Sequence, residues 1–117
     1  MTYSALKKRI KKNEGFSLIP YRDKLGFLTI GYGHLIKKNE KKTLVKNNNK
    51  KLLDELFEKD FAIALGQYKK FFSKSKHTDK EKNLLIEMIF QLGIFNLLKF
   101  KKMLFFLKNK KKYLTAL

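Results

Sequence analysis

Four of the six glycines and the only proline of this 117-residue chain fall in one stretch, NEGFSLIPYRDKLGFLTIGYGHL, residues 13 to 35. Glycine and proline are the strongest local punctuators of a fold, so tight turns concentrate there. Within the stretch, residues 16–21 and 27–32 read as short β-rich runs, with turn signals at 23–26 and at Gly33. On either side the periodicity is helical. Residues 2–13 put Leu6, Ile10 and Tyr3 on one face and Lys7, Lys8, Lys11 and Lys12 opposite, and Asn13 and Gly15 mark the end of that helix. Residues 36–50 are polar and predict a loop with a turn or so of helix. Asn49 is placed to cap the longest helical pattern, KKLLDELFEKDFAIALGQYKKFF. SKSKHTDKEK reads as a linker, with Thr78 or Asp79 capping the next helix. NLLIEMIFQLG is apolar nearly all round and predicts a buried central helix, broken at Gly93 before one more helix that runs into MLFFLKNKKKYLTAL. Helix, small antiparallel sheet, long helix and helical cluster make an α+β arrangement.

Composition then narrows the chemistry. Without cysteine there is no disulfide, thiolate metal site or thiol nucleophile, and His34 and His77 are the only imidazoles. No metal or cofactor is expected. No apolar run approaches the roughly 18 residues of a membrane-spanning helix. The first residues are basic but lack the apolar core of a secretion signal, so the expected starting location is the cytoplasm. Net charge is +18, from 28 basic residues of which only Arg9 and Arg22 are arginine. Such a surplus steers a protein toward nucleic acid, anionic lipid or an acidic cell wall. Lysine enriched together with Asn, Ile, Phe and Leu is also what an AT-rich coding sequence produces, so charge alone names no function.

The residues in the turn-rich stretch carry more information. Glu14 ends the first helix, where the negative end of the macrodipole disfavours a carboxylate. Asp23 falls in the turn between the strand runs, and Thr29 lies on the next run. A carboxyl biased toward its protonated form, facing a carboxylate and a hydroxyl, suits glycosidic cleavage. A helix-end Glu, a turn Asp and a strand Thr are also ordinary structural residues, and spacing alone does not separate the two readings.

The full pattern, E-G-x(5)-Y-x-D-x(2)-G-x(2)-T-I-G-x-G-H from Glu14 to His34, resembles the N-terminal lobe of phage-type lysozymes, the glycoside hydrolase family 24 endolysins. The resemblance continues more loosely through LFEKDFAIAL and IEMIFQLG. It implies a lysozyme-like α+β fold in one domain spanning 1–117: an N-terminal lobe over 1–50, a connecting helix over 51–73 and a shortened helical lobe over 74–117. It implies hydrolysis of the β-1,4 bond between N-acetylmuramic acid and N-acetylglucosamine in peptidoglycan, with inversion. Glu14 would be the general acid, Asp23 the group that places the attacking water, and Thr29 its partner. Inversion asks for carboxyl groups about 6.5–9.5 Å apart, to leave room for that water. Leu35 and Phe90 would line the substrate cleft, and His34 would form a structural ion pair with Asp60.

The resemblance also implies helices beyond Leu117 and an arginine reaching the catalytic acid, a position that neither Arg9 nor Arg22 matches. On that reading Met103, Leu104, Phe105, Phe106 and Leu107 carry more apolar surface than one buried stripe needs, which predicts self-association. Expected partners are peptidoglycan, an anionic wall or membrane surface, and a holin that gives access to the wall during phage-associated lysis. Two alternatives stay open: a lysozyme-like protein with little or no turnover, and a cationic protein acting on membranes or nucleic acid.

Overall fold

In a computed structural model, residues 3–46 and 48–116 are described, with side chains to Asn109. The chain divides into two compact units, Met1–Ala62 and Ile63–Leu117.

The first unit opens with α1, Ser4–Glu14, whose apolar stripe buries Leu6 and Ile10. Gly15 stops it with a φ of 73°, its amide donating to the Lys11 carbonyl. That left-handed backbone favours glycine and turns the chain out of the helix. A three-stranded antiparallel sheet follows in the order β1 (Ser17–Arg22), β2 (Leu28–Gly31), β3 (His34–Leu35). Tyr21 faces Thr29 across β1 and β2, but the register slips between Ser17 and Tyr21. Pro20 sits in the slip, on an edge strand, where a residue without an amide hydrogen is tolerated.

The short strand β3 was not anticipated from the residue pattern. Gly31 and Gly33, with φ of 66° and 77°, reverse the chain within a few residues, so that Ile30 pairs with His34 and Thr29 with Leu35. A short helix, α2 (Lys41–Lys46), occupies the polar segment, as its sequence predicts.

Helix α3, Lys50–Phe71, begins where Asn49 Oδ1 accepts the Leu52 amide at 2.8 Å. This side chain satisfies one of the backbone donors orphaned at a helix start. The first unit's core is closed by Ile30, Leu44 and Leu53, with Ile36, Leu52 and Leu56 packed against them. A chain of aromatic rings binds its elements together. Phe16 meets Tyr32 edge-on at 4.9 Å, Tyr32 meets Phe57 at 5.4 Å, and Tyr3 meets Phe61 at 5.8 Å.

The second unit contains the end of α3, then α4 (Asp79–Leu92), α5 (Ile94–Leu97) and α6 (Lys101–Ala116). Thr78 caps α4 in a reciprocal box with Glu81. Leu85, Ile86 and Ile89 are buried, yet α4 is not apolar-covered on all sides. Leu84, off the buried stripe, and Leu92, at the last residue of the helix, remain 47% and 40% exposed. A helix in a unit this small buries one stripe, so the apolar surplus remains at the surface. The single helix expected after Gly93 is instead broken at residues 98–100, and α6 bends again at Asn109, where φ is −111°. Among the described residues, no helix is long and apolar enough to cross a membrane.

Candidate active site

Glu14 is the last residue of α1 and is half-buried. Its carboxyl group lies directly against the Gly33 backbone. A Cβ built on Gly33 would overlap Glu14 Oε2 and approach its Cδ to 3.0 Å. Gly33 therefore serves two needs at once, the positive φ of the β2–β3 turn and the space occupied by the acid.

Asp23 is fixed by its turn. Its Oδ1 accepts the amide hydrogens of Leu25 at 2.9 Å and Phe27 at 2.8 Å, while its own amide donates to the Phe27 carbonyl at 2.9 Å. Two donors on one oxygen set the carboxylate plane, and hence the direction of Oδ2. Thr29, on the central strand, is only 2% exposed. Its hydroxyl donates to the Phe27 carbonyl at 2.8 Å, so what remains on Oγ1 is acceptor capacity.

Tyr21 links these groups. It is the cross-strand partner of Thr29 and lies two residues before Asp23. Its hydroxyl pKa is raised, first by burial and then by the negative charges of Glu14 and Asp23. Both carboxyl groups thus lie within electrostatic reach of one phenol. Tyr21 belongs to the sequence pattern, but the pattern by itself gave it no role. Its signal is its place on β1 two residues before Asp23, on the strand that leads into the Asp23 turn.

His34 makes a separate cluster. Nδ1 lies 2.7 Å from Asp60 Oδ2, and Nε2 lies 3.0 Å from Glu40 Oε1. Carboxylates at both nitrogens leave the ring two acceptors and no donor, an arrangement that fits the imidazolium. Burial pulls the His34 pKa down, but the hydrogen bonds and charges of Asp60 and Glu40 outweigh it, and the net shift is upward. For Glu40, burial acts upward, and it is outweighed by the Lys37 amide and by His34, so its pKa is lowered. Asp60 is the partner that the resemblance implies, whereas Glu40 lies in a lysine-rich loop where nothing in the sequence marks its role. Leu35 is half-exposed on the edge strand β3. Phe90 lies on α4 in the second unit and is half-buried.

The profile of the phage lysozyme family matches residues 11–116. The chain belongs to the phage lysozyme family. Two relatives of this phage lysozyme homologue come from Dictyostelium discoideum. Probable T4-type lysozyme 2 is 35% identical over 92% of this chain and 77% of that protein. Probable T4-type lysozyme 1 is 32% identical over the same shares. Helices joined to a small three-stranded antiparallel sheet are compatible with a lysozyme-like α+β fold. Family membership supports a glycosidase, a muramidase-type peptidoglycan hydrolase, as the broad function.

Proposed function

We propose that this phage lysozyme homologue cleaves the β-1,4 bond between N-acetylmuramic acid and N-acetylglucosamine with inversion, and that it does so in host-cell lysis. Glu14 protonates the leaving oxygen. Asp23, held by the Leu25 and Phe27 amides, orients a water through Oδ2, takes its proton as the oxygen attacks the anomeric carbon, and stabilises positive charge developing on the sugar. Thr29 Oγ1, its proton committed to Phe27, accepts from the same water. The observation that carries the reading is the seat of the Glu14 carboxyl against Gly33, in space that a Cβ would occupy. No metal or cofactor takes part in these steps. The half-exposed Leu35 suits an apolar contact with a sugar face, and Phe90 is the corresponding proposal for the second unit.

Reducing-end release from purified peptidoglycan, with turbidity loss alongside, tests this reading. Wild type should turn over, and Glu14→Gln should lose activity by about two to four orders of magnitude, the contribution of a general acid. Circular dichroism must show both proteins folded. A folded Glu14→Gln protein with unchanged turnover would falsify the assignment. A folded wild type that releases no reducing ends would instead favour the low-turnover alternative. Killing that survives Glu14→Gln and collapses with salt would point to membrane action by the cationic surface.

A further inference from the structure

The second unit contains a cleft of about 710 Å³, open to solvent on one side and lined by residues of that unit. Phe71 and Phe72, at the end of α3, and Leu104 and Leu107, on α6, supply its apolar walls. Its size falls within the roughly 300–1,000 Å³ typical of small-molecule sites. One side is held in shape by local bonds. The Tyr68 hydroxyl and His77 Nδ1 are 2.8 Å apart, and the Phe72 ring lies 5.5 Å from Tyr68 and 5.6 Å from His77.

Lys74, Lys76 and Lys108 also line the cleft, and all three are exposed. Among the described residues, none of them makes an ion pair and no carboxylate joins the lining. An apolar interior under an unneutralised cationic rim is complementary to one kind of small molecule. It fits a tail that gives up water to phenylalanine and leucine, with a negative head that stays among ammonium groups at the surface.

We propose that this cleft binds a single-chain amphiphile with an anionic head, of the fatty-carboxylate class. The site involves none of Glu14, Asp23 and Thr29, so it stands independently of the muramidase reading.

The full-length protein would be titrated with sodium decanoate below its micellar concentration, followed by calorimetry and by amide shifts at Ser75, His77 and Asn109. Decan-1-ol and decyltrimethylammonium would be titrated in parallel. The expected result is one decanoate per chain, with decanol at least tenfold weaker and no binding of the cationic amphiphile in the same range. Lys76→Glu/Lys108→Glu should weaken decanoate binding at least tenfold, as should high salt for the wild type. Lys76→Gln/Lys108→Gln replaces that variant should the reversal not fold. Equal affinity for decanol and decanoate would overturn the proposal, as would undiminished binding by a folded lysine variant. So would sedimentation showing two chains paired across Leu104 and Leu107, which would make the occupant a second copy. Binding to phosphatidylglycerol vesicles with no uptake of decanoate would likewise replace the cleft with a bilayer-docking surface.

Discussion

Gly33 is the residue on which the geometry of the acid depends most directly. Gly33→Ala adds a Cβ where the Glu14 carboxyl now lies, at a φ of 77° that alanine adopts at a cost of about 1–2 kcal/mol. Turnover should fall about 100-fold, the effect of a small displacement at a reacting group, while the circular dichroism spectrum stays that of a folded protein. Reducing-end assays beside thermal melts would separate the catalytic loss from the stability loss. The His34 cluster makes a pH prediction. Its raised pKa means that its stabilisation is fully present below the unfolded value and is lost as pH rises through the folded value. Glu40, with a lowered pKa, contributes above its unfolded value and loses that contribution as pH falls through the folded one. Glu40→Gln should therefore bring the His34 titration to lower pH and move the alkaline loss of stability with it. An NMR titration of the His34 ring, run with urea unfolding across pH, would show whether the two move together. These residues differ in how far the sequence announces them. Gly33 and Glu14 stand in one dense pattern. Asp60 is 26 residues from His34 with no local periodicity joining them, and Glu40 lies among lysines.

Helix starts were the elements most easily read in advance, because their chemistry is local. Asn49 caps α3 as its sequence predicts, and of Thr78 and Asp79, the two candidates at α4, it is Thr78 that caps the helix. Asn49→Ala and Thr78→Ala should each lower stability by about 1 kcal/mol, the usual worth of such a cap, measured as a shift in urea midpoint at constant slope. Strand β3 and the splitting of the last helical region were not readable in the same way. A two-residue strand has too little sequence to show a period of two, and only its pairing with β2 defines it. Residues 94–107 mix Phe, Leu and Lys so evenly that helical periodicity does not mark the break at 98–100. The over-apolar α4 misled in the opposite direction, since a sequence rich enough to be buried all round still needs neighbours to bury it, and Leu84 and Leu92 have too few.

For the molecule as a whole, the charge of +18 sets how it meets an acidic polymer. Retention of the folded Glu14→Gln protein on pelleted peptidoglycan should fall steeply between about 50 mM and 500 mM NaCl, where the Debye length shrinks severalfold. Retention independent of salt would mean that the sugar contacts alone hold the protein. Not every lysine contributes to that long-range field in the same way. Lys11 Nζ lies 5.1 Å from the Tyr32 ring centroid and 4.8 Å from that of Phe57. Lys7 bonds Glu58 at 2.8 Å over Phe61, and Lys50 bonds Asp54 at 2.8 Å over Phe16. Each is an ammonium engaged with an aromatic face or a carboxylate, and therefore a poorer nucleophile than its neighbours. A limiting dose of an acylating reagent would sort the amines of this chain by rate. The three that anchor α1 and α3 to their aromatic rings would be among the slow ones, with Lys70 over Phe71 and Lys82 over Tyr68, leaving a chemical footprint of the packing on a surface that by composition looks uniform.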